Sequence, residues 1–313
     1  MISNKKPMKI LKALFSVIFF LVISKNITGQ RRIEQGFLPA SENFNKARFN
    51  LVIISEAGIA TLATIGLQYL WYKKFAKSRF HFFNDNNEWL NMDKVGHATT
   101  AYNISAVQYN LMRWSGVKNS SSILIAGGTA IAYMTMIEIF DGFSAKWGFS
   151  KGDMLANIAG TGLYVAEQEA WNQQKIQLRF SYHNSIYAKY NPGELGKNLP
   201  QRILKDYNGQ SYWLSFNISS FLNGNAKFPK WIDADVGYGT EGMTGAVSNP
   251  SVVDGKSIPS FNRQRKLFFG VTGAFVKKND TPFPSWINII RVPSPVLEWK
   301  LKTKEMKGHF LYY

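Results

Sequence analysis

The 313 residues contain no cysteine. Disulfides, thiolate metal sites and cysteine nucleophiles are therefore excluded, although an oxidising compartment would permit the first of these. A lipid anchor, which needs a cysteine just after an export signal, is excluded with them. Histidine is scarce: His81, His97, His183 and His309 are all there are. There is no phosphate-cradling glycine-rich loop, no His-Glu-x-x-His zinc motif and no Gly-x-Ser-x-Gly nucleophile elbow. Acid is also in short supply, with 20 acidic against 37 basic side chains and a formal charge of +17.

The basic excess is unevenly spread. Residues 1–29 carry five lysines and no acid, residues 30–174 carry 13 basic and 11 acidic side chains, and residues 175–313 carry 19 and 9. In the first segment Lys5, Lys6, Lys9 and Lys12 precede an apolar run, Ala13 to Ser24. That run falls short of the roughly 20 residues that span a bilayer and suits the core of a secretory signal. Ile27-Thr28-Gly29 before Gln30 fits a cleavage site, so residues 1–29 are read as a signal peptide. The expected location is the periplasm or an envelope membrane of a Gram-negative-type bacterium. Export separates the basic second half from nucleic acid and points it to a membrane or anionic envelope lipid.

The chain then divides by texture. Residues 30–174 are expected to be helical and residues 175–313 basic and β-rich, giving an α+β fold in which a bundle of about four helices precedes a β-containing region. Leu51 to Tyr72 is apolar but for Glu56, and Trp71, Tyr72, Lys73, Lys74 and Lys77 close it with an aromatic-basic edge. Its length fits a membrane span, and a buried helix of a large soluble bundle has the same composition. A second helix is expected from Asp93, as N-cap, to Trp114. A third runs from Ile123 to Phe140, set off by a break at Lys118–Ser122 and ended by Asp141-Gly142. A fourth runs from Ser150 to Trp171, with Ser150 and Asp153 spaced as a capping box. Alternating polarity predicts strands at Ile176–Tyr182, Tyr212–Ile218, Ile232–Tyr238, Leu267–Phe275 and Val296–Lys302.

Ionisable residues inside the helical half form a short list. Asp93 and His97 are four apart, Glu138 and Asp141 three apart, and Asp153 and Asn157 four apart, so each pair shares a helix face. If the three helices pack, these side chains converge. Asp93, His97, Glu138, Asp141 and Asp153 are then candidate ligands of a divalent metal, with Asn157 supporting, and His97 with Glu138 is a candidate catalytic acid–base pair. Each also has a structural role open to it, as cap, turn or core partner. Glu138 is the hardest to explain that way, because it sits in the apolar run Ile131–Phe140, where an unpaired carboxylate is costly.

The string Asp93-Lys94-x-x-His97, Tyr102, Glu138-x-x-Asp141, Phe149-Ser150-x-x-Asp153-x-x-x-Asn157-x-x-Gly160 resembles the YfiM-type predicted periplasmic lipoproteins (domain of unknown function 2279). It is more distantly similar to VanZ-like membrane proteins, small helical proteins linked to glycopeptide resistance. The resemblance covers Trp89 to Gln168. It departs from the first family in having no lipobox cysteine, and from the second in having Asp141 where a glutamine follows the glutamate. The stretch Asp206 to Trp213 resembles longer members from Bacteroidetes-type bacteria. The resemblance implies an envelope location and carries no established activity.

Three functions remain open on these grounds. One is a non-enzymatic, membrane-associated envelope protein with the polar cluster as an internal staple. Another is an envelope hydrolase or metal enzyme acting on lipid or cell-wall material through His97 and Glu138. A third is a basic module that binds anionic glycolipid through residues such as Arg263, Arg265 and Lys266.

Overall fold

The computed structural model describes residues 38–70, 76–222, 228–229, 231–273 and 288–313. The signal read at residues 1–29, the edge Trp71–Lys74 and the end of the strand expected to reach Phe275 lie outside them. The fold is α+β, with helices first and a six-stranded sheet after them.

Helix α1, Lys46–Leu70, begins where the Asn45 side chain accepts a hydrogen bond from the Arg48 N–H. It is apolar on all sides, and the side chains of Leu51, Ile54, Ile59 and Leu62 are exposed. At 1.5 Å per residue it is about 37 Å long. It and α3 are each long and apolar enough to cross a membrane, but only 6% of α1's most apolar window is covered, against 33% for α3.

Helices α2, Met92–Trp114, α3, Asn119–Gly142, and α4, Lys151–Trp171, pack pairwise against one another. The α2–α4 crossing depends on Gly160, where a Cβ would lie 1.9 Å from the Ala98 carbonyl oxygen. Two sequence expectations need correction. Asp93 is not the N-cap of α2; Asn91 holds that position in a left-handed conformation, φ 69°, leaving the Asp93 carboxylate free to turn toward the other helices. The expected break at Lys118–Ser122 is instead the first turn of α3, because Ser122 bonds back to Val117 and Lys118 rather than competing for the helix. The end of α3 at Gly142 and the Ser150 cap of α4 are as expected, with Ser150 Oγ accepting from the Asp153 N–H.

The short strands β1, Phe82–Phe83, and β2, Phe149–Ser150, pair in parallel and tie the connector before α2 to the start of α4. Strands β3 (Ile176–Tyr182), β4 (Gln210–Asn217), β5 (Ile232–Glu241), β8 (Gln264–Gly273), β9 (Ser294–Lys300) and β10 (Met306–Tyr312) form an antiparallel sheet in the order β10-β9-β8-β5-β4-β3. Strands β6, Val252–Val253, and β7, Lys256–Ser257, make a small hairpin beyond β5. Five of the six sheet strands stand close to the expected positions. The sixth, β10, escapes the alternation test because Lys307, Gly308 and His309 interrupt its apolar residues. The short helices α5, Pro192–Leu195, and α6, Leu199–Lys205, lie between β3 and β4.

The sheet rolls until its two edges approach each other. The Arg291 N–H donates to the Phe180 carbonyl of β3, and its guanidinium donates to the Tyr312 carbonyl of β10. Trp213, Phe268, Val296 and Tyr312 pack inside the roll. Gly237 makes room for them, since a Cβ there would meet the Trp213 ring at 2.5 Å.

Polarity across the rolled part of the sheet is inverted. Asp233, Asp235, Ser215, Lys266 and Glu298 point inward and are buried, whereas Val236, Phe269, Val271, Leu297 and Trp299 point outward and are exposed. A water-facing sheet shows the opposite alternation. Among the described residues, only the β3–β4 end of the apolar face is covered, by α2: Met92, Tyr207, Tyr212 and Met243 form one core with Val95 and Phe180, and Tyr102, Tyr164 and Leu178 form another. The helical and sheet halves therefore share their cores.

Candidate functional site

The turn that leads into α2 is strained. Trp89, Leu90 and Asn91 have φ of 46°, 53° and 69°, a left-handed run that L-residues avoid at about 1–3 kcal/mol each. Long-range contacts hold it. The Trp89 N–H donates to the Ala246 carbonyl, the Tyr238 hydroxyl donates to the Leu90 carbonyl, and Arg265 donates to Asn91 Oδ1. The first turn of α2, carrying Asp93, Lys94 and His97, is thus set by the sheet as much as by its own sequence.

The structure brings His97, Glu138 and Asn157 together from three helices. His97 Nδ1 is 3.1 Å from Asn157 Oδ1 and 3.5 Å from Glu138 Oε1. Both neighbours are acceptors, which favours the Nδ1–H tautomer and leaves Nε2 as the ring nitrogen for a ligand. Nε2 lies 3.9 Å from Asp93 Oδ1. Glu138 is 1% exposed; its Oε2 accepts from the Ser150 N–H, and its Oε1 accepts no hydrogen bond. The capping box read at Ser150 and Asp153 is therefore completed from another helix, because Glu138 takes the N–H that the Asp153 carboxylate would otherwise have taken. Asp153 is released to Lys94.

Lys94 Nζ lies 2.8 Å from Asp153 Oδ1, 2.5 Å from Asp85 Oδ1 and 3.9 Å from Asp93 Oδ2. Asp85 also accepts from Ser150 Oγ at 2.6 Å. One lysine thus serves several carboxylates, and the consequences follow from burial and like charge. Burial, opposed by His97 and reinforced by Asp153, pushes Glu138 up to about 8. Burial and the neighbouring Asp93 push Asp153 up to about 9. Burial would also raise Asp85, but hydrogen bonds from Asp153, Lys94 and Ser150 hold it below the usual range. Asp85 and Asp153 therefore titrate as a pair opposite Lys94.

Among the described residues, Asp93, His97 and Asp153 offer ligand atoms within 4.8 Å of one another. One imidazole and two carboxylates suit a borderline or hard divalent ion. Lys94 competes with such an ion for Asp153. Glu138 stands behind this trio, touching it through His97 Nδ1. Asp141 lines the same cavity and adds to the negative potential at Glu138, but it is not one of the three clustered donors.

The cavity has a volume of about 850 Å³ and is walled by α1, α2, α3 and the segments around Trp89, Trp147 and Tyr207. Asp85 and Tyr207 are members of the site that helix spacing did not reveal. Tyr207 donates to Asp93 Oδ1 at 2.6 Å from more than 100 residues away in sequence. The one local hint for Asp85 is its place in the polar run Asn84-Asp85-Asn86-Asn87.

The basic trio of the second half is engaged internally. Lys266 is buried beside Glu241 and Glu298, and Arg263 donates to the Gly245 and Ala246 carbonyls. Arg265 donates to Tyr238 and Asn91. These contacts tie the strands to the Ala246 loop and the turn before α2, and Arg265 stays exposed.

No curated protein and no solved structure matches the chain. A family does. Residues 81–168 match the model of the domain of unknown function 2279, described as a predicted periplasmic lipoprotein, and that segment contains Asp85, Asp93, Lys94, His97, Glu138, Asp153 and Asn157.

Proposed function

We propose that this is a membrane-associated protein of the cell envelope whose helical bundle holds an acid–base site centred on His97 and Glu138. The observation that carries the reading is the Glu138 carboxyl: it is buried and lacks a hydrogen-bond partner at Oε1, and it lies 3.5 Å from an imidazole that lines a large cavity. Once Glu138, pushed up to about 8, gives up its proton, the carboxylate behind Nδ1 fixes the tautomer and stabilises the imidazolium that forms when Nε2 takes a proton. Membrane association is supported by α1, apolar on every side and barely covered, and by the outward apolar face of the rolled sheet. Bilayer-facing surfaces have that polarity. The envelope location agrees with the family description.

A second reading, a non-enzymatic staple, is favoured by Lys94, which joins the connector, α2 and α4 through Asp85 and Asp153. His97→Ala and Glu138→Gln variants separate the two. Under the acid–base reading they keep the wild-type abundance and melting temperature but fail to complement a deletion strain's envelope phenotype. Under the staple reading both variants melt earlier. Metal analysis of the purified protein sharpens the site further: a stoichiometric divalent ion lost in His97→Ala makes Asp93, His97 and Asp153 ligands, and metal-free, complementing protein leaves the acid–base pair alone.

A further inference from the structure

We infer that the cavity beside His97 takes a single-chain amphiphile, with an apolar chain along α2 and an uncharged or cationic, hydrogen-bonding head at the His97 end. The inference rests on the acid–base reading of His97 and Glu138 and names the class of molecule that site would meet. The cavity is of the size that holds small ligands, ~300–1,000 Å³. Its lining follows one stripe of α2 at helical spacing: Asp93, His97, Thr100, Ile104, Val107 and Leu111. The stripe changes from ionic to apolar within two turns and then stays apolar, and from His97 to Leu111 it rises about 21 Å. Ile59 and Ala60 of α1 and Ile137 of α3 line the same cavity, and Glu56 with Gln108 is a polar pair within its wall.

A stripe of this kind at helical spacing ordinarily packs against another helix. Here it borders open volume beside α1, the helix read as membrane-embedded, so a chain drawn from the bilayer has continuous apolar surface to follow. Electrostatics select the head. Asp85, Glu88, Asp93, Asp153 and Glu194 line the polar end; Lys94 is committed to Asp85 and Asp153, and Lys146 to Glu194. A free phosphate there would face surplus carboxylate, whereas a hydroxyl or amine donates to it.

The test is a binding series on the full chain in lipid nanodiscs. Brominated monoacylglycerols of increasing chain length serve as probes, and quenching of the cavity tryptophans Trp89 and Trp147 is the readout. Affinity is expected to rise about fourfold per added methylene, the equivalent of ~0.8 kcal/mol each, and an alkyl phosphate of equal length is expected to bind more weakly. Ile104→Phe fills the apolar part and should abolish quenching. Leu124→Ala, at an exposed position of α3 outside the cavity, should retain it, and an unchanged melting temperature of the cavity-filling variant excludes misfolding. Chain-length-independent quenching, or wild-type quenching in Ile104→Phe, overturns the inference even if His97→Ala still fails to complement. Chain-length-dependent binding in the wild type supports it even where His97→Ala and Glu138→Gln complement fully, an outcome that would remove the acid–base reading alone.

Discussion

Both halves of the molecule bury charge, and they do so differently. Inside the rolled sheet Arg179 pairs with Asp233, Arg291 pairs with Asp235 at 2.8 Å, and the Arg291 guanidinium also stacks 3.9 Å above the Trp213 ring. Anion and cation are matched, and the only atoms of these two pairs left without a partner are Arg179 Nε and Asp235 Oδ1. In the helical half Lys94 and His97 stand among Asp85, Asp93, Glu138 and Asp153, so negative charge is in excess and protons are retained. Matched pairs in a closed interior specify a fold. A charge imbalance on the wall of a cavity leaves something for a ligand to do.

Perturbing each side breaks or sharpens this contrast. The largest effect is expected from Arg291→Met, which strands Asp235 in the roll. Loss of one partner of a buried pair costs about 3–5 kcal/mol, and denaturant melts should show it. A loss under about 1 kcal/mol would mean that the roll admits water and that its pairs resemble surface pairs.

Next is Glu167, a buried carboxyl at the α4–β3 junction whose Oε1 accepts from the Lys175 and Ile176 N–H groups while Oε2 has no hydrogen-bond partner. Burial pushes it up to about 8 despite those bonds. A raised carboxyl binds more protons in the folded chain, so stability is full below about 4.5 and falls as pH rises to about 8. The slope is at most about 1.4 kcal/mol per pH unit. Glu167→Gln should flatten that stretch of the stability–pH curve, and an unchanged curve would assign the dependence to Glu138 and Asp153 instead.

The smallest effect is at His183, within the roll. Burial first, then Lys266 and His309, push it down to about 4 against the opposing pull of Glu298. The unfolded chain binds its proton near pH 6.5, so stability holds above that value and declines as pH falls from about 6.5 to 4. His183→Gln should remove that acid-side decline in thermal melts across the same window. Glu167 and His183 therefore lose stability in opposite pH directions.

Much of this was legible in one dimension. Helical spacing marked Asp93 with His97, Glu138 with Asp141, and Asp153 with Asn157, because a 3.6-residue repeat places such pairs on one face whatever packs against it. Period-two alternation located five strands for the same local reason. Asp93 shows the limit: as a cap-forming residue before an apolar stripe it reads as an N-cap, yet the left-handed turn at Trp89–Asn91, held from β5, β8 and the Ala246 loop, moves the cap to Asn91. Asp85 and Tyr207 were out of reach because each joins the site through a contact unrelated to any repeat.

The sequence by itself determined the absence of thiol chemistry, the helix-then-strand order and the short list of ionisable residues in apolar helices. All of these depend on composition or on neighbours within a few residues. Only the tertiary structure decided that Glu138 completes the cap of α4 and releases Asp153 to Lys94, that Arg179, Lys266 and Arg291 are turned inward, and that the apolar face of the sheet is turned out. Those outcomes depend on which groups can share a proton or a hydrogen bond once three helices and a rolled sheet exclude water, and no repeat in the chain encodes that.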